Sequence, residues 1–274
     1  MGDVVGRVVG LYRLHLRRRG LARGSVDKFT CQLTAILGDV ERWQDLTGDE
    51  VDRWLDRRTG RGGLPMAART RYAWLSCLTS FYDWAADEGL VTGANPIRRC
   101  ARPKLPPLRP RPLAAADLAV LLLTTGPGPT RVAIALMRYG GLRACEVAGL
   151  RWVDVDEGAG VLHLVGKGAR YRAVPIGPNL AAELPPRGPR LGPVLGERWS
   201  PARVSRRVGA QLRAVGVDAT GHQLRHTAGT DCYEHAGGDL VVAQEYLGHA
   251  SIATTRIYVR ASSSRLRTAV EAFG

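Results

Sequence analysis

The sequence predicts a mainly α-helical fold with one small antiparallel β-sheet in its C-terminal half, divided into two domains. Three observations predict it. Apolar residues recur at helical spacing along most of the chain, and strict alternation appears only in two short neighbouring runs. A basic, proline-rich stretch also interrupts a chain of 274 residues, about twice the usual domain length.

The first hundred residues read as four helices and no strand. An initial helix covers residues 4–18. Val26, Phe29, Leu33 and Ile36 follow at helical spacing, with Ser25 placed as an N-cap. Thr47 and Glu50, three apart and ahead of Val51, Trp54 and Leu55, have the form of a capping box. Ala68, Tyr72, Leu75, Thr79, Tyr82, Trp84 and Ala85 mark a further amphipathic helix that stops at Gly89.

Residues 97–112 hold six cations, five prolines and no acid. Proline withholds a backbone donor and fixes φ, so this segment is expected to run extended. Through Arg98, Arg99, Arg102 and Lys104 it could follow a phosphate backbone while joining two domains; a plain solvated linker is the alternative. The expected division is a helical domain over 1–96, a linker over 97–112 and a second domain over 113–274.

In the second domain, helices are expected over 114–123 and 130–139, then a turn at Gly140-Gly141 and a short helix over 143–148. Residues 161–165 and 171–176 alternate as strands about the loop Gly166-Lys167-Gly168-Ala169-Arg170, a hairpin. Helices over 201–215, 222–235, 239–247, 251–258 and 264–273 complete it.

A formal charge of +14 calls for a polyanionic partner, nucleic acid first and an acidic membrane surface second. Only Lys28, Lys104 and Lys167 are lysines among 39 basic residues, a bias toward arginine that a GC-rich coding sequence explains. Such a bias exchanges one cation for another and does not create an excess of cations over acids. The five cysteines are scattered without a C-x-x-C pair, which points to reduced thiols and a cytoplasmic protein. The N-terminus is broken by Arg7 and Arg13 and shows no cleavage site, and no uncharged apolar run approaches ~18 residues, so no membrane partner is expected.

One ordered set of polar residues carries the chemistry: Arg143, Lys167, His222, Arg225, His249 and Tyr258. So many cations converge only around an anion, which a tyrosine hydroxyl could then attack. Arg143 opens a helix after a glycine turn, where free N–H groups also favour an anion, and Glu146, three residues on, can hold it. His222 and Arg225 share a helix face, the arginine offering a fork of donors and the histidine a proton that exchanges near neutral pH. His222 and His226 as metal ligands of the H-E-x-x-H kind is disfavoured, because Gln223 stands where the glutamate belongs. His226 instead reads as a buried support.

Lys167, in a chain that otherwise writes arginine, suits a proton donor; a solvated hairpin-tip lysine competes with that reading. A phosphate-binding P-loop is excluded there, since Gly168 replaces the required Ser or Thr. Tyr258 follows His249 by nine residues. A phenol of pKa ~10 is a poor nucleophile at neutral pH, but neighbouring arginines and a lysine would stabilise its anion and a crowded phosphorane-like transition state.

The stretches GLRACEVAGLRW, VGKGARYRAVPI, GHQLRHTAGT and LGHASIATTRIY, in this order and at these spacings, resemble the signature boxes of the tyrosine recombinases, or phage integrase family, Xer-like members included. The resemblance covers residue 113 to the end and, more loosely, the N-terminal domain, which it likens to a SAM-like core-binding domain. It implies a two-domain DNA clamp and site-specific recombination through a 3′-phosphotyrosyl intermediate, without ATP, metal or other cofactor. Tyr258 would be the nucleophile and Lys167 the acid for the leaving 5′-oxygen. Arg143 and Arg225 would clamp the phosphate, His222 would act as acid/base, His249 would hydrogen-bond the phosphate, and Glu146 would support the site.

The implied partners are double-stranded DNA at a recombination site, a homo-tetramer joined through the C-terminal helix with its Leu266, Val270 and Phe273 stripe, and a directionality factor; the implied location is the nucleoid. The helix over 201–215 puts Val204, Val208, Leu212 and Val215 on one face, and Arg206 and Arg213 opposite with Arg203 and Arg207 on its flanks, as a groove-reading or merely solvated basic helix would. The alternatives are a type IB topoisomerase-like enzyme and a non-catalytic DNA-binding regulator; the latter would be expected to lack Tyr258 or an arginine. The chain starts almost at once with core-binding-type helices, so simple sites without accessory arms are expected.

Overall fold

The computed structural model describes residues 2–60, 63–105, 112–166 and 171–248. The chain divides into two compact units, Met1–Pro107 and Leu108–Gly274. The fold is mainly helical with a small antiparallel sheet, the class the sequence predicts.

The first unit contains α1 (Gly2–Arg18), α2 (Arg23–Leu37), α3 (Gly48–Arg57) and α4 (Ala68–Asp87). Its core gathers Tyr12, Leu16, Leu33, Ile36, Leu55, Leu78, Phe81 and Tyr82. Buried phenols need partners: the Tyr12 hydroxyl donates to Ser80 Oγ at 2.8 Å and the Tyr82 hydroxyl to the Trp43 carbonyl at 2.7 Å. The capping box forms: Thr47 Oγ1 accepts the Glu50 N–H, and Glu50 accepts the Thr47 N–H. Ser25 is not a cap. The helix begins two residues earlier behind Ala22, whose carbonyl accepts the Ser25 N–H.

The basic stretch is not extended throughout. Pro96–Arg99 form a 3₁₀ turn, because proline supplies the turn's φ and Asn95 ties it down. Asn95 Oδ1 accepts the Ile97 N–H, while its Nδ2 donates to the Thr79 carbonyl and to Asp83. Ile97 and Cys100 are buried in the core, so these residues belong to the packed unit. Residues 106–111 lie outside the described residues.

The second unit runs α5 (Ala115–Thr124), α6 (Pro129–Tyr139), α7 (Ala144–Gly149), β1 (Val155–Asp156), β2 (Val161–Val165), β3 (Tyr171–Pro175), α8 (Pro178–Ala181), α9 (Pro201–Ala214), α10 (Gly221–His235) and α11 (Leu240–Leu247). Every residue of α6 from Val132 to Met137 is buried, which makes it the central helix. Its neighbours α7, α9 and α10 supply Val147, Val204, Val208, Leu212 and Leu224 to the same core. The antiparallel sheet has strand order β1-β2-β3 and pairs Leu162 with Val174 and Leu164 with Arg172. β1 and α8 were not expected; two and four residues are too short for a periodic signal. The helices expected over 251–258 and 264–273 lie outside the described residues.

Candidate active site

The glycine turn after α6 sets the first arginine. Gly141 has φ +61°, and a Cβ there would meet the Tyr246 ring at 2.9 Å, so only glycine fits. Tyr246 is itself held by its hydroxyl, which donates to the Tyr139 carbonyl at 2.8 Å. Arg143 caps α7 in extended conformation. Its Nη1 donates to Glu146 Oε1 at 2.8 Å and its Nη2 to the Gly248 carbonyl at 3.1 Å. Glu146 Oε2 also accepts the Arg143 backbone N–H at 2.8 Å, so one carboxylate fixes both ends of that residue, as the three-residue spacing predicts.

Arg225 projects from α10 into the same place and is 1% exposed. Its guanidinium donates to the Gly141 carbonyl and, at 2.5 Å, to the Leu247 carbonyl, and it lies 3.9 Å from Glu146 Oε2. The two arginines therefore meet at the C-terminal end of α11, whose last carbonyls have no intrahelical partner and attract donors. Gly248 closes that helix at φ +59°.

Arg172 is a residue of this cluster that the sequence reading does not single out. It lies on β3, 9% exposed, and forks onto Glu146, Nη1 to Oε1 at 2.8 Å and Nη2 to Oε2 at 2.9 Å. A signal existed: alternation puts Arg172 on the same inward strand face as Val174, where an arginine requires a buried anion. Burial works to raise the Glu146 carboxyl, but the bonds from Arg172 and from the Arg143 N–H outweigh it and hold the pKa at about 2. Three guanidinium groups thus surround one carboxylate, an excess of positive charge suited to a single anion.

The His222 and His226 rings pack edge to face with centroids 4.4 Å apart. Burial, then the positive charge of Arg225 and Arg143, lowers the His222 pKa; because the side chain keeps an exposed edge, water moderates that lowering. His226, more enclosed, is lowered to about 4 by burial and by His222 and Arg225. Burial and the neighbouring positive charge thus favour the neutral form of both rings. Lys167, His249 and Tyr258 lie outside the described residues. His249 directly follows Gly248, where α11 ends.

Among the basic residues singled out for a groove or backbone, Arg206, Arg207 and Arg213 are exposed on α9, while Arg203 pairs with Glu197 at 2.9 Å and stacks over Trp199. In the first unit Arg99 and Lys104 are exposed, Arg98 pairs with Asp83 at 3.1 Å and Arg102 donates to Thr79 Oγ1 at 2.7 Å.

A family model described as the phage integrase family matches residues 193–265. Tyrosine recombinase XerC of Rhodospirillum centenum is 36% identical over 80% of this chain and 69% of its own length. Tyrosine recombinase XerD of Ralstonia nicotianae is 34% identical over 91% of this chain and 87% of its own. In fold, the chain is similar to a lambda integrase dimer bound to a core site, with TM-score 0.73, 20% identity and coverage of 92% and 94% of the two chains. The chain belongs to the tyrosine recombinase family, and is a site-specific recombinase of the Xer type.

Proposed function

We propose that the chain cuts and rejoins duplex DNA at a specific site, with Tyr258 as the nucleophile. The tyrosyl oxygen attacks the scissile phosphorus, a 3′-phosphotyrosyl bond forms as the bond to the 5′-oxygen breaks, and the strand end leaves as a free 5′-hydroxyl. Arg143 and Arg225 hold the non-bridging oxygens and stabilise the charge that builds on them. Lys167 gives the leaving oxygen its proton, His222 receives the tyrosyl proton, and His249 hydrogen-bonds the phosphate. Glu146 and His226 hold these groups in place. The phosphotyrosyl ester keeps the energy of the broken diester, so attack by a second 5′-hydroxyl reseals DNA without ATP, and charge stabilisation by arginines stands where a metal would otherwise serve.

The observation that carries this reading is the convergence of Arg143 and Arg225 on the end of α11, from which the chain leads directly to His249 and then Tyr258. In the same reading residues 1–96 and residues 113–274 both contact DNA, with the basic stretch of 97–112, Arg206, Arg207 and Arg213 on the phosphate backbone. Four copies assemble on the recombining sites through the C-terminal stripe of Leu266, Val270 and Phe273, and a directionality factor biases the outcome. Action on DNA places the protein in the cytoplasm, at the nucleoid.

The test is a nicked suicide duplex carrying a site selected from random duplexes by the Tyr258→Phe protein. The expected result is a covalent protein–DNA band on a denaturing gel, absent in Tyr258→Phe and indifferent to magnesium and ATP. A band that persists in Tyr258→Phe, or that requires either additive, overturns the reading.

A further inference from the structure

We infer that Arg172 is a positioning residue of the recombination site: it occupies both oxygens of Glu146 and so leaves Arg143 and Arg225 with donors for the phosphodiester. The inference rests on the reading of those two arginines as the phosphate clamp. A carboxylate offers about four acceptor positions. Glu146 fills them with the two Nη groups of Arg172, the Arg143 N–H and one Nη of Arg143. The Arg143 guanidinium therefore meets Glu146 through a single nitrogen, and Arg225 stays at 3.9 Å. Were Arg172 absent, the vacated lone pairs would invite either arginine into a two-point fork, the preferred geometry of an arginine–carboxylate pair. Donors so engaged are withdrawn from the phosphate.

Two further observations separate this role from plain packing. The Nε of Arg172 is buried with no hydrogen-bond partner among the described residues, a cost that an apolar side chain of similar volume would not carry. Arg172 also lies against the Cα of Gly248, where an added Cβ would stand 2.7 Å from its Nη1 and 2.8 Å from its Cδ. The carbonyl of that glycine takes the other Nη of Arg143. Arg172 thus bonds one protein anchor of Arg143, the carboxylate, and packs against the residue that carries the other.

The test is a double-mutant cycle on single-turnover cleavage of the same suicide duplex, with melting temperature measured in parallel. Arg172→Met is expected to slow covalent-complex formation about 10- to 100-fold, and Arg172→Lys, which keeps the charge but not the fork, to slow it by a smaller factor. In a Glu146→Gln background, Arg172→Met should cost less than about threefold more, because the carboxylate through which it acts is gone. Arg172→Met should also add a loss of rate below about pH 5 as Glu146 loses its main counter-charge. If Arg172→Met does not fold, the cycle is run with Arg172→Lys, whose rate must fall while its melting temperature changes little. Losses that multiply in the double variant, or rates that merely follow stability, overturn the inference. A wild-type protein that gives no Tyr258-dependent band overturns the recombination reading itself, a result distinct from an active wild type indifferent to Arg172.

Discussion

The two units bury polar groups in opposite ways. In the first unit the Tyr12 and Tyr82 hydroxyls and the Asn95 amide each end on a neighbour within the unit. There, neutral donors meet acceptors within the unit. In the second unit Arg143, Arg172 and Arg225 crowd a single carboxylate, and the two arginines nearest the end of α11 also donate to backbone carbonyls. Carbonyls carry only partial charge, so a phosphate oxygen competes well for the same donors. A polar group buried for stability closes on itself; one buried for chemistry keeps an unbalanced charge.

Substitutions should separate the two kinds of burial. Arg225→Gln, which removes one charge of the proposed phosphate clamp, is expected to slow covalent-complex formation ~100- to 1000-fold; if the rate per folded molecule falls less than about threefold, the clamp is misassigned. Gly248→Ala comes next. Its left-handed backbone costs an L-residue about 1–2 kcal/mol, and its methyl group would displace Arg172, so a melting shift should accompany a cleavage loss of about tenfold or more. Tyr82→Phe in the first unit should lower stability by about 1 kcal/mol and leave the cleavage rate of the folded fraction unchanged. A large rate effect there would erase the contrast between the units.

The smallest effect expected is on pH dependence. His226 takes up its proton at about 4 in the folded protein and at about 6.5 in an unfolded chain. Between those values the unfolded chain binds more protons, so stability falls as pH drops through that window and is fully present above it. Among the described residues, burial, His222 and the Arg225 charge all oppose its protonation. Chemical denaturation from pH 4 to 7 should show this slope in the wild type and a shallower one in His226→Gln.

Legibility in the sequence followed the range of the interaction. The Thr47–Glu50 box and the Arg143–Glu146 pair, both three residues apart, were read correctly because a helix turn brings such residues together. Ser25 carried a similar signal and failed, since a serine in the first turn is compatible with a helix already begun at Arg23. The turn at Pro96–Arg99 depends on Asn95 reaching Thr79 and Asp83, contacts that local composition cannot announce. Arg172 was hidden for the same reason: its partner Glu146 is 26 residues away, and only the inward face of β3 hinted at it.

The proposed chemistry centres on one bond, between the Tyr258 oxygen and the 3′-phosphate of cleaved DNA. Trapping the complex on the suicide duplex, digesting both components and sequencing the modified peptide by mass spectrometry tests it directly. The nucleotide is expected on Tyr258, with Arg225→Gln reducing its yield and Tyr82→Phe leaving it intact. A nucleotide found on any other residue, or no adduct from an active wild-type protein, would contradict the account.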